Sequence, residues 1–335
     1  MAYQTGNLTS HANFLVVLKA FLTSSAVGWT CIKDTNLDTI ADSADIGTTA
    51  NVNLGRVIYF SAPGLDYTKT IYTCFWEFKN TVTGYYNIGV RCMTSYSSLY
   101  KKESQTGVSP PHYLCMTNAA SSPYWFIANS QRVMCLVNSG SGTYRDCLYA
   151  GWLTPNVSAA AEVPLPYAVG GSSATSTNLV SSNVTDRRAF FNPYKDSDAA
   201  TPICTAGEIT SNGGCTLSVR TTSSGWLKIG NGATQTATAQ VHAITSPYAH
   251  CDSANGYHND KNYGSSPMEK TLLPISIWSD SNTYQGCYGE LDGVYHVSGE
   301  GMSPQDVISI SGVDYLVWNS VNQTGRNMYA AFKLA

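Results

Sequence analysis

Three sets of side chains in this sequence have types and spacings that chemistry can use. The first is Glu290 and Asp292, which flank Leu291 in Gly289-Glu290-Leu291-Asp292-Gly293. On a strand, residues two apart share a face, so the two carboxyls could converge as a general acid and base. The same pattern also describes a turn, in which Asp292-Gly293 bends the chain and Glu290 pairs with an arginine. Arg187 and Arg188, just ahead of Ala189-Phe190-Phe191-Asn192-Pro193, are the expected partners, closing a buried clamp on Glu290. The turn and clamp are the preferred reading.

The second set is a comb of histidines, His242, His250 and His258, with Cys251, Asp252 and Asp260 close by. A metal would need two ligands on one helix face or on adjacent strands. The segment Ser246-Pro247-Tyr248-Ala249-His250-Cys251-Asp252-Ser253-Ala254-Asn255-Gly256 reads instead as a loop, so solvated histidines are expected there. The remaining histidines, His11, His112 and His296, form no ligand spacing.

The third set is ten cysteines, at 31, 74, 92, 115, 135, 147, 204, 215, 251 and 287. No two form a C-x-x-C, which argues against a zinc ribbon or a thioredoxin-like site. Cys135 and Cys147 lie on either side of Ser139-Gly140-Ser141-Gly142, and Cys74 and Cys92 on either side of Thr81-Val82-Thr83-Gly84. A hairpin at each turn would place the two sulfurs nearly opposite, with Cα atoms about 4.5–5.5 Å apart, within reach of a bridge. Cys204 and Cys215 flank Ser211-Asn212-Gly213-Gly214 in the same way. Either three disulfides or buried thiols of a β core fit this spacing. If the disulfides form, the protein works outside the cell.

No G-x-S-x-G, H-E-x-x-H, Walker loop or G-x-G-x-x-G stands in a strand–turn–helix context. With no coherent nucleophile–base set, no catalytic, cofactor-binding or metal-binding residue is assigned, and an enzyme is disfavoured.

The elements that must position these groups are mostly strands. One helix is expected, with Ser10 as its cap and Phe14, Val17, Leu18, Phe21 and Leu22 on one face. Beyond Gly28 the chain breaks into short alternating or apolar runs separated by Gly, Pro, Asn and Ser. Predicted strands cover 28–33, 53–60, 70–79, 85–93, 113–118, 124–129, 131–137 and 144–153, then 271–278, 291–297, 307–311, 313–318 and 327–333. Tight turns are expected at Ala128-Asn129-Ser130 and at Gly312. Strands at this spacing without intervening helices predict a mainly β fold of antiparallel, sandwich-like sheets with one short N-terminal helix and a long loop-rich insertion. The expected organisation is a helix and β domain over 1–154, then a Pro/Gly/Ser-rich stretch over 155–182 that is either a linker or a surface excursion. A second β region follows over 183–335, with the loop-rich insertion at 195–265 and the option of packing onto the first as one domain.

Composition narrows the function classes. Of 335 residues 43% are hydrophobic, so the chain should fold, while only 12% are charged, about half the ~25% of an ordinary soluble protein. With 19 basic and 22 acidic residues the net charge is −3, too balanced for a nucleic-acid groove or an anionic-membrane patch. The run from Phe14 to Leu22 is interrupted by Lys19 and far short of the about 20 residues that span a bilayer. No signal peptide is expected at Met1-Ala2-Tyr3-Gln4-Thr5-Gly6. The 22 Tyr, 7 Trp and 9 Phe suit β cores, protein interfaces or stacking on sugar rings.

Met1-Ala2-Tyr3-Gln4-Thr5-Gly6 with the helix and Gly28-Trp29-Thr30 comes first, then Tyr124-Trp125-Phe126-Ile127-Ala128-Asn129 with Arg132-Val133, and Arg188-Ala189-Phe190-Phe191-Asn192-Pro193. Gly289-Glu290-Leu291-Asp292-Gly293-Val294-Tyr295, Gly312-Val313-Asp314-Tyr315-Leu316-Val317 and Thr324-Gly325-Arg326 follow in order. Together these phrases resemble the tail-associated virion structural proteins of tailed bacteriophages. The resemblance implies a structural part of the tail, baseplate or neck, made in the host cytoplasm and located in the virion. Its partners would be other copies of itself and other virion proteins, with no cofactor, no nucleic acid and no membrane insertion. The helix and the 155–182 stretch are the expected docking elements, each offering apolar surface. A host-surface glycan bound at a tail tip is the alternative.

Overall fold

The computed structural model describes residues 1–35, 51–64, 69–80, 84–117, 121–139, 144–155, 166–171, 189–191, 217–220, 225–228, 241–244, 270–281, 284–297, 301–319 and 329–334. The fold is mainly β and antiparallel, with one helix among the described residues. The chain begins with β1 (Ala2–Leu8) and α1 (Ala12–Leu22). A five-stranded meander follows: β2 (Thr30–Thr35), β3 (Asn51–Ala62), β4 (Ile71–Asn80), β5 (Tyr86–Met93) and β6 (His112–Thr117), each strand beside the next.

Among the described residues the larger sheet has thirteen strands. It runs from β1 through β7 (Ser122–Ala128), β8 (Arg132–Ser139) and β9 (Tyr144–Thr154), and at β9 it forks. Residues 149–152 of β9 carry β10 (Tyr167–Gly170), which continues into β11 (Leu217–Arg220) and β12 (Trp226–Lys228). Leu153 and Thr154 instead pair with Leu291 and Glu290 of β15 (Tyr284–His296). β15 in turn holds β14 (Leu273–Ser281) with β13 (Val241–Ile244), and on its other side β18 (Tyr329–Lys333), β17 (Val313–Asn319) and β16 (Val307–Ile310).

Two cores share the central strands. The inner face of β7–β10 packs on the meander through Phe126, Val133, Cys135, Leu148 and Trp152 against Ile58, Phe60, Phe75, Val90 and Leu114. The apolar face of α1, with Phe14, Leu15, Leu18, Phe21 and Leu22, closes that core. The opposite face, with Ile127, Met134, Leu136, Cys147 and Tyr149, packs on Ile277, Leu291, Val294, Trp318 and Phe332 from the C-terminal strands. Strand β8 is therefore buried along its whole length, and its run Val133-Met134-Cys135-Leu136-Val137 is continuously apolar where a one-sided strand would alternate. Residues before and after 155–182 share the second core.

The expectation that α1 exposes an apolar docking surface is corrected, because the helix turns its apolar stripe inward. Within 155–182, Tyr167–Gly170 is a fully buried strand locked between β9 and β11, while 156–165 and 172–182 lie outside the described residues. The helix begins one residue later than its expected cap implies. His11 occupies the cap position without a side-chain bond. The Gly312 turn forms as expected: Ser311 and Gly312 both have positive φ (52° and 79°) between paired Ile310 and Val313, the geometry that matches strand twist in a two-residue hairpin.

Candidate functional site

The E-x-D pair sits on β15 where that strand crosses from β9 to β18. Its two carboxyls do not converge. Glu290 Oε1 accepts from Ser276 Oγ at 3.5 Å on β14. Asp292 Oδ2 accepts from Arg132 Nε at 2.7 Å and from Asn129 Nδ2 at 3.0 Å. Arg132 is fully buried at the start of β8, with its Nη2 against the Met1 sulfur at 3.3 Å. An ionic clamp thus exists at this motif, but it joins Arg132 to Asp292. Arg187 and Arg188 lie outside the described residues.

Local sequence builds each half of the clamp. Asn129 makes the β7–β8 turn, its Oδ1 accepting from the Gln131 and Arg132 amides at 2.8 and 2.9 Å, the side-chain-to-backbone turn that Asn favours. That turn aims Arg132 across the sheet. Gly293 has φ +70°, and a Cβ there would lie 2.1 Å from Arg132 Nη2. Glycine at this position satisfies both the left-handed backbone and the room that the guanidinium needs. The Asp292 backbone also hydrogen-bonds the buried Tyr149 hydroxyl, which donates to Trp152 O at 2.8 Å; burial pushes the Tyr149 phenol far up. The arrangement fixes β8, β9 and β15 relative to one another, as a structural joint.

The disulfide alternative fails on register at two of the three cysteine pairs, whose four cysteines are all buried. Cys135 is opposite Leu148, while Cys147 is opposite Leu136. Cys74 is opposite Arg91, while Cys92 is opposite Thr73. An offset of one residue sends the side chains of each pair to opposite faces of the sheet. Cys135 and Cys92 enter the core between the sheets, Cys147 the second core, and Cys74 the outer face of the meander. The 135–147 and 74–92 disulfides are therefore absent, and Cys92 and Cys135 are free thiols. Desolvation pushes both thiols well up, so they stay protonated and unreactive. Cys204 and Cys215 lie outside the described residues.

His250 and His258 also lie outside the described residues, and His242 is placed on β13 by its backbone alone. No metal-holding group of three His, Cys, Asp or Glu occurs among the described residues. His296 is half-buried on β15, and desolvation lowers it to about 4, so it is neutral at ordinary pH.

Two features escaped the sequence reading. The β5–β6 connection caps the outer face of the meander, with Tyr96 and Val108 on Tyr59, Trp76 and Tyr113. Its buried Gln105 ties the loop together: Nε2 donates to Ser97 O and Tyr100 O at 2.8 and 2.7 Å, and Oε1 accepts from Ser97 N at 2.8 Å. The Lys102 ammonium lies 5.4 Å from the Trp76 ring centroid. On this scaffold Leu99 is 88% exposed and Tyr100 54% exposed. The second feature is β1, an edge strand made largely of polar residues. No family model matches the chain, and no curated protein matches it either.

Proposed function

We propose that the chain is a structural subunit of a bacteriophage virion, in the tail, baseplate or neck, acting by protein–protein assembly. The observation that carries the reading is the loop tip at Leu99-Tyr100. Two large side chains stand in solvent on a loop that Gln105 and Lys102 hold rigid. Ordering such groups before contact lowers the entropy lost on docking, which suits a permanent interface. The low charge of the chain acts in the same direction, since interface centres are depleted of charge and enriched in Tyr and Trp.

The test is peptide mapping of phage particles purified without reductant from a lysate that makes the chain. A stoichiometric component is expected, with Leu99→Asp reducing its incorporation. Absence from particles would refute the reading. The exposed Tyr100 ring is also the observation that favours the second reading, a glycan-binding tip protein. That reading expects retention on host polysaccharide that Tyr100→Ala abolishes.

A further inference from the structure

The open edge of β1 carries an inference that rests on the assembly reading and names a partner for it. Sheet edges are normally blunted by charge, proline, bulges or shortness. The β2 edge of the meander is blunted in two ways. A bulge lies between Cys31 and Lys33, and Lys33 is followed by Asp34, which pairs with Lys19 at 2.8 Å and Arg56 at 3.1 Å. At the far end of the large sheet, β16 has four residues.

Strand β1 has none of these protections. Its seven residues pair with β7 in unbroken register from Ala2↔Ala128 to Leu8↔Ser122, without a bulge. Ala2-Tyr3-Gln4-Thr5-Gly6-Asn7-Leu8 contains no charge and no proline. Among the described residues, no backbone hydrogen bond reaches its other edge. Tyr3, Thr5 and Asn7 are exposed and alternate with the more buried Ala2, Gln4, Gly6 and Leu8. Tyr3 is 48% exposed.

We propose that β1 pairs antiparallel with β1 of a second copy about a two-fold axis through Thr5, joining two large sheets into one continuous sheet. This register overlaps all seven residues. It places Tyr3 opposite Asn7 of the partner subunit, Gln4 opposite Gly6 of the partner subunit and Ala2 opposite Leu8 of the partner subunit. Strand addition satisfies the outward amides and carbonyls. An isologous contact needs a surface that is complementary to itself, and an uncharged strand meets its own image without repulsion. Tyr3 supplies an amphipathic ring over the small polar side chain opposite.

The experiment measures the mass of the purified full chain by sedimentation and light scattering across a concentration series. A dimer is expected for the wild type. In Tyr3→Lys/Asn7→Lys, two like charges face each other on each side of the axis, and the dimer constant should weaken at least about ten-fold. In Tyr3→Lys/Asn7→Glu the facing charges are opposite, and dimerisation should return to within about three-fold of the wild type. A wild-type monomer at every concentration overturns the proposal, and so does a dimer unaffected by the double lysine variant. If that variant misfolds, hydrogen exchange of the wild type decides. The open-edge amides of Ala2–Leu8 should slow as concentration rises through the dimer constant, and concentration-independent exchange overturns the pairing. A monomer still present in purified particles refutes the dimer and leaves the assembly reading intact. A β1 dimer absent from particles does the reverse.

Discussion

At the seam between β8 and β15, Asp292 meets a guanidinium that is fully buried, with Asn129 as a second donor. At the joint between α1 and β4, Glu77 is buried without such a partner among the described residues. Its carboxylate accepts from the Leu15 backbone N–H in the second turn of the helix, and Arg56 stabilises it only through space. Burial wins at the second joint and raises Glu77 to about 7. The comparison shows what two solutions to burying a carboxylate cost. Where strands distant in sequence are joined, a matched cation neutralises the acid. Where a helix lies on its own sheet, the helix N-terminus supplies a partial charge that falls short of full compensation.

The largest effect expected from breaking this comparison is at Asp292. Asp292→Ala leaves the Arg132 guanidinium buried without its counter-ion and should lower unfolding free energy by about 3–5 kcal/mol, read by denaturant titration. Gly293→Ala should cost about 2–4 kcal/mol in the same assay, combining left-handed backbone with a Cβ in the space of Arg132. Full stability in Gly293→Ala would mean that the guanidinium can move, and the clamp would lose its meaning.

At the other joint the prediction concerns pH. The folded Glu77 carboxyl titrates near 7 against 4.5 unfolded. The fold therefore holds the proton that the unfolded chain releases, and stability should fall as pH rises from about 4.5 to 7 and level off above. Glu77→Gln keeps an acceptor for Leu15 and cannot ionise. It should remove that slope and leave the variant more stable than the wild type at pH 8 by about 1–3 kcal/mol. An unchanged melting profile between pH 5 and 8 in both proteins would contradict the account. The smallest effect is expected from Arg56→Gln, which withdraws the through-space cation. It should push the Glu77 titration slightly higher and cost a few tenths to about 1 kcal/mol, mostly through the lost Asp34 pair. A thermal melt across pH would show both.

Much of the strand pattern was legible because alternation and turn residues are local. Val57–Phe60 and Val133–Val137 are apolar runs with turn formers nearby, and each lies within a strand. Strand β1 was not legible because Tyr-Gln-Thr-Gly-Asn has little apolar content, and pairing to β7 makes it a strand. Tyr167–Gly170 was hidden by the Pro- and Gly-rich sequence around it, since four residues carry no measurable period. At the site, the sequence pointed to an ionic clamp in the Glu290-Leu291-Asp292 motif but placed it on Glu290 instead of Asp292, and Asp292-Gly293 lies within β15. Neither member of the pair was legible, because Arg132 lies 160 positions from Asp292 in sequence.

What the sequence determined by itself was therefore the class of structure: short antiparallel strands, one helix, and a surface poor in charge. Those follow from side-chain type at neighbouring positions, where the physics acts over one or two residues. Tertiary structure alone decided which carboxyl meets which arginine, which face each cysteine enters, and which sheet edge remains open. Each of these depends on strand register, and in a sheet a shift of one residue reverses every side chain, so nothing short of the whole set of pairings specifies it.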